Sequence, residues 1–394
     1  MTKKEAIIRG LKSFDYLLAL AVIGVSVFSI AMIYASSNHP GMPTREFIAF
    51  SGLWRLTRMH VITGTFMMIL FACVSYRLVT RAYLIVYGLM MALLLAVMLV
   101  GADDATSTAR WLQIPIPGLG NINLQPSEFA KIFMIIFLAR VLELKKDSFN
   151  KVHWLGLILA TIAVPVGLVV RQPSLSAAFV ILFVSFTVLF TAGLKLRYII
   201  IGAIFAAIVL ILLWLELQRV EPLFLERILE DYQIRRIRIF LDPSLDADLA
   251  RQVEGSRRAI ASGGLTGKGL FNNDSYLIFA HNDLIFAVVA EQFGFAGSAA
   301  LLGVKLLIVV KCIIIAVKAI DLQGRLIAAG VAGMIIFETF VHVGVVTGFM
   351  PPTGMPFPFL SYGGSMMWVH MIAIGMVLNV GLKRDKEELE EDMY

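Results

Sequence analysis

Long apolar runs dominate this chain, and they do not alternate with polar positions. Runs of about 20 apolar residues are what a helix needs to cross hydrocarbon. In lipid only helices and closed barrels satisfy their own backbone, and continuous runs select the helix. The pattern predicts an all-α polytopic membrane protein with ten transmembrane helices. They fall at 15–36, 60–76, 82–101, 126–143, 153–170, 174–193, 198–215, 284–303 (running on toward 317), 326–349 and 365–382. The whole of 1–394 is read as one membrane domain, with a large extracytoplasmic loop at 216–283 between spans seven and eight and an acidic tail at 385–394.

Composition sharpens this picture. The chain is 59% hydrophobic and 16% charged, against about 25% charged in soluble domains. The net charge of +6 is concentrated in short loops. Lys3, Lys4, Arg9 and Lys12 precede the first span. Arg77 and Arg81, Lys145, Lys146 and Lys151, Lys195 and Arg197, Lys318 and Arg325, and Lys383, Arg384 and Lys386 then fall on the same side. The bias places that side, with both termini, in the cytoplasm. The 37–59 loop, with Arg45, Arg55 and Arg58, runs against it. The basic surplus is therefore topological, and no nucleic-acid partner is read. Cys73 and Cys312 lie far apart in apolar spans and suggest no disulfide framework.

The long loop is not low in complexity, and loops of this length are usually functional or disordered. "EPLFLERILEDYQIRRIRIFLDP" reads as an amphipathic helix on the membrane surface. "GGLTGKG" fails as a P-loop: it is one residue short, and Gly269 stands where Ser or Thr should be. Its glycines could still form an anion nest beside Lys268, or simply a turn. The cations cluster at Arg235, Arg236 and Arg238, then at Arg257 and Arg258.

Charges inside spans need partners or tasks. Glu128 and Lys131 are three apart and share a helix face. Glu338 and His342 are four apart; they read as a hydrogen-bonded pair before a metal pair, and no metal ligands are assigned. Arg110 and Trp111 fall at the outer interface. "GFMPPTGMPFPFLSYGGS" cannot be helix or strand, so it should line a cavity or be buried in protein. Asp283 and Glu291 are eight residues apart, about 12 Å along a helix. That is too far for a carboxylate dyad. Asp283 reads as a single carboxylate at the mouth of span eight. Glu291 reads as a counter-charge for a buried cation such as Lys131 or Arg110.

One carboxylate with several cations suits transfer from a sugar pyrophosphate. Glycoside hydrolysis needs a second carboxyl to protonate an alkoxide. A pyrophosphate leaves as a stable anion and needs positive charge instead. One base then takes the proton of the attacking hydroxyl.

"RW", "QPSEFAK", "AIASGGLTGKGL", "HNDLIFAVVAEQFGFAG" and "VTGFMPPTGMPFPFLSYGGS" occur in order over 110–382. Together they resemble the SEDS family of RodA, FtsW and SpoVE, and "GKGLFN" leans toward RodA. The resemblance implies a peptidoglycan glycosyltransferase that polymerises lipid II at the outer face of the bacterial cytoplasmic membrane, for cell shape, division or sporulation. It implies a class B penicillin-binding protein as partner. It gives Asp283 the catalytic role and makes Trp111 a residue of activity. It extends the supporting set to Arg110, Gln125, Glu128, Lys131, Ser262, Gly263, Gly264, Lys268, His281, Glu291, Pro352, Thr353, Gly354, Ser361, Tyr362, Gly363 and Gly364. No cofactor is assigned, and a divalent cation, magnesium or manganese, is left open. Three departures stand out. Ser174 replaces an aspartate, residues 251–256 lack the usual Tyr-Gln-x-x-Gln-Ser, and His342 replaces an asparagine. A lipid II flippase and a weakly catalytic scaffold are the alternative readings.

Overall fold

The computed structural model describes residues 14–38, 42–103, 109–116, 120–172, 174–217, 231–245, 247–272, 274–275, 277 and 280–391. Helices cover the predicted runs, with two short ones, α2 and α4, in the segments between them: α1 (Tyr16–Ser37), α2 (Thr44–Phe50), α3 (Leu53–Cys73), α4 (Tyr76–Arg81), α5 (Tyr83–Val100), α6 (Pro126–Leu144), α7 (Val152–Arg171), α8 (Leu175–Thr191) and α9 (Leu196–Leu217). They continue with α10 (Asp231–Leu241), α11 (Ala247–Ser262), α12 (Ile285–Val317), α13 (Leu322–Val346) and α14 (Gly364–Glu391). Among the described residues eight helices are long and apolar enough to cross a membrane. Helix α8 is a shorter apolar helix, and α6 carries Glu128, Lys131, Arg140 and Glu143. The chain is a multi-pass helical membrane protein.

Local chemistry sets the helix ends. Asp15 caps α1 by accepting from the Leu18 N–H at 3.0 Å, and Asp321 caps α13 through the Gly324 N–H at 2.7 Å. Pro126 takes the first turn of α6, where its missing N–H costs nothing. The bundle centres on α6, α13 and α14, which bury most of their length. Helix α9 buries no residue and presents apolar side chains all round, as a lipid-facing helix does.

Two features differ from the all-helical expectation. Residues between α5 and α6 form an antiparallel three-stranded sheet: β1 (Ala102–Asp103), β2 (Ala109–Ile116) and β3 (Gly120–Leu124). Leu112 faces Leu124 across the β2–β3 pair, and Ile114 faces Ile122. Helix α12 runs through to Val317 but breaks at Gly294, whose φ is 63° and ψ −162°. Helix α14 continues through much of the acidic tail, to Glu391. Of the amphipathic stretch in the long loop, 221–230 lies outside the described residues, and 231–241 is helical as α10.

Candidate active site

The Gly-Pro stretch after α13 forms a non-helical loop, 347–363, packed into the bundle. Its backbone groups have partners. The Ser361 hydroxyl donates to Asn282 O at 2.6 Å and accepts from the Phe357 N–H at 2.8 Å. The Tyr362 N–H donates to His281 O at 2.8 Å. This loop and the 281–284 segment that opens α12 are thereby one unit.

Asp283 sits at the centre of that unit. Its Oδ1 is shielded from solvent and has no hydrogen-bond partner among the described residues. Burial pushes its carboxyl above the usual carboxylate range, and the charges of Arg236 and Arg110 pull it part of the way back. Arg236, on α10, reaches the loop and donates to Pro352 O at 3.4 Å. Arg110 comes from β2. Gly354 completes the group with φ +70°. A Cβ there would stand 3.0 Å from Arg236 Nη1 and 3.3 Å from Asp283 Oδ2. Glycine therefore serves both the left-handed backbone and the space between the Asp283 carboxylate and the Arg236 guanidinium. Thr353 Oγ1, beside it, is buried without a partner among the described residues. Burial also pushes the His281 imidazole down to about 4, so it is neutral near pH 7. Its ring packs on Phe50 at 4.8 Å and Tyr362 at 5.9 Å.

Glu291 does not answer Lys131 or Arg110. Its Oε1 accepts from Lys268 Nζ at 2.7 Å, from the Asp274 and Ser275 N–H groups at 3.1 Å, and from the Ser275 hydroxyl at 3.0 Å. Ser262 Oγ lies 3.5 Å away. Asp274 gives Lys268 a second contact at 3.0 Å, and the bond to Glu291 holds the ammonium's pKa up. Lys268 is thus committed within the protein.

The glycine loop makes no anion nest either. The Lys268 and Gly269 N–H groups donate to Glu291 O and Gln292 O, at 3.0 and 2.9 Å. The Phe295 and Ala296 N–H groups donate to Gly264 O and Leu265 O, at 2.9 and 3.0 Å. The loop thus supplies the bonds that the break at Gly294 takes from α12. The approach demands glycine: a Cβ on Gly263 would stand 2.0 Å from Ala290 O.

Lys131 lies between Glu128 Oε2 at 2.7 Å and Glu338 Oε1 at 2.6 Å. His370 on α14 reaches the other Glu338 oxygen at 2.5 Å. Glu338 and His342 are therefore not partners. His342 Nδ1 turns instead to Met355 O at 2.7 Å, because the loop offers it a carbonyl while Lys131 and His370 take the carboxylate. Among the described residues no group of three His, Cys, Asp or Glu could hold a metal ion.

The predicted residues thus divide. Asp283, Arg110, Pro352, Thr353 and Gly354 converge. Trp111 is next to Arg110 on β2, opposite Ala102. The Gln125 N–H donates to Ser365 Oγ at 3.0 Å, which ties the start of α6 to α14 beside Gly363 and Gly364. Glu128, Lys131, Ser262, Gly263, Gly264, Lys268 and Glu291 hold the scaffold. Arg236 stood out in the sequence only as one of a basic cluster. Its approach to Asp283 has no signature at a separation of 47 positions.

A family model of cell cycle proteins, covering FtsW, RodA and SpoVE, matches residues 13–386. The probable peptidoglycan glycosyltransferase FtsW of Trichlorobacter lovleyi is 30% identical over 95% of both chains. The peptidoglycan glycosyltransferase MrdB of Escherichia coli K12 is 31% identical over 94% of both. A chain solved within a peptidoglycan synthase complex that coordinates polymerization and crosslinking superposes with a TM-score of 0.76 at 28% identity, covering 94% of this chain and 98% of that one. With its motifs in order, its helices in place and nearly its full length matched, this chain belongs to the FtsW/RodA/SpoVE family.

Proposed function

We propose that this chain is a peptidoglycan glycosyltransferase that polymerises lipid II at the outer face of the bacterial cytoplasmic membrane. It crosses that membrane ten times, with both termini in the cytoplasm, and works with a class B penicillin-binding protein. The observation that carries the reading is one shielded carboxylate, Asp283, under the charges of Arg236 and Arg110, with Gly354 keeping the space beside it open. The names of the relatives point the same way.

In this mechanism Asp283 Oδ1 takes the proton of the acceptor sugar's 4-hydroxyl. The hydroxyl oxygen bonds to the donor's anomeric carbon with inversion. The bond from that carbon to the pyrophosphate oxygen breaks, and the lipid pyrophosphate leaves as an anion. Arg236 and Arg110 stabilise the charge that develops there.

The buried cations argue against lipid transport. A path across the bilayer needs cations free to meet a pyrophosphate. Lys131 is held by two carboxylates, and Lys305 by Pro358 O. Purified protein, alone and with its transpeptidase, is to be incubated with lipid II. Glycan ladders are expected. Their absence with the authentic transpeptidase would turn the reading toward transport or a scaffold.

A further inference from the structure

We propose that Lys305 is a positioning residue for glycosyl transfer, setting the 350–363 loop against Asp283. This rests on the polymerase reading above.

Lys305 is 2% exposed and lies in the middle of α12. Burying an amine is costly unless its N–H groups find partners. No carboxylate forms a salt bridge with it among the described residues. Its Nζ donates to Pro358 O and lies over the rings of Phe357 at 4.5 Å and Phe359 at 4.9 Å. All three contacts belong to the active-site loop. An apolar residue would fill this place at lower cost, so what Lys305 adds is the donor it gives the loop.

The loop needs such a donor. Backbone off a helix at membrane depth must find partners in the protein, and Pro356 and Pro358 have no N–H to build a turn with. Side chains from two helices supply them: His342 on α13 meets Met355 O, and Lys305 on α12 meets Pro358 O. His342 also packs on Phe357 at 4.9 Å, and Phe286, one turn beyond Asp283, lies 5.9 Å from the same ring. The grip at 355–358 is followed by Ser361, which bonds Asn282 O, and is preceded by Gly354, which lies against Asp283. Loosening the grip moves the base relative to Arg236. Substrate need not be touched for this to matter, since about 1 Å of misplacement can cost 100-fold in rate.

The test compares Lys305→Met, which keeps the volume, and Lys305→Gln, which keeps a donor, with wild type. Three readouts are taken: saturated polymerisation rate and KM for lipid II, thermal midpoint in detergent, and hydrogen–deuterium exchange over 350–364 and 280–284. Lys305→Met is expected to melt at or above wild type, to hold KM within about twofold and to lose tenfold or more in kcat. Exchange should rise in those two segments alone, and Lys305→Gln should recover part of each effect. Wild-type kcat or unchanged exchange in Lys305→Met would overturn the proposal. A fall in kcat that tracks a lower melting temperature or a raised KM would also overturn it, marking Lys305 as structural or substrate-binding. If wild type makes no glycan while exchange rises as expected, the polymerase reading fails and the grip on the loop stands.

Discussion

Asp283 differs from an ordinary surface aspartate in one respect that can be measured. Burial raises its pKa and the two arginines lower it, with burial the larger effect. A base must be ionised to work, so polymerisation should fall as pH drops through that raised value. The acid limb of the rate profile is expected above the usual carboxylate range. Arg236→Gln removes one of the charges holding the pKa down, so it should move that limb further up as well as slow the reaction. An unmoved limb in Arg236→Gln would separate this arginine from the base. At this scale the sequence was legible where a charge stood alone in an apolar run. Asp283, Glu291 and Lys131 all announced themselves in that way. Their partners were less so. Glu128 was within reach on the same helix face, but Glu338 is 207 positions from Lys131 and Lys268 is 23 from Glu291. Helix periodicity carries no information about pairs brought together by packing.

The helices were readable because hydrocarbon imposes their length and continuity. The sheet at 102–124 was not, since its strands are short and hold mixed rather than strictly alternating residues. The Gly-Pro loop could be recognised as irregular from composition alone, but its depth in the bundle follows from packing. The glycine loop at 263–269 was left open between an anion nest and a turn, because its use depends on the break in α12. That use is testable. Gly267 has φ +82°, and a Cβ there would lie 2.2 Å from Gln292 O. Gly267→Ala should destabilise the protein by at least about 1–3 kcal/mol, read as a lower melting temperature in detergent. Gly264 also has a positive φ but an open surrounding, so Gly264→Ala should cost less. Equal losses at the two sites would mean that the clasp on α12 contributes nothing beyond backbone strain.

For the whole molecule, the buried ion network and the Asp283 group involve different residues. The buried Glu128–Lys131–Glu338–His370 network ties α6, α13 and α14 together, while Asp283 stands where α10, β2 and the loop before α14 meet. The proposed orientation puts that meeting point outside the cell. A cysteine introduced at Ser244, an exposed turn residue, should react with a membrane-impermeant maleimide on intact cells; one introduced at Lys195 should react only after permeabilisation. The reverse pattern would invert the topology and remove the site from the lipid-linked donor's side. The proposed role of Asp283 as the base is tested most directly by the initial rate of lipid II polymerisation by Asp283→Asn beside wild type and Glu291→Gln. Asp283→Asn keeps the shape and removes the base, so its rate should fall by about 100-fold or more, with the melting temperature held or raised. Glu291→Gln should lose stability in the 262–275 segment before it loses chemistry. An Asp283→Asn protein that polymerises at the wild-type rate would contradict the account.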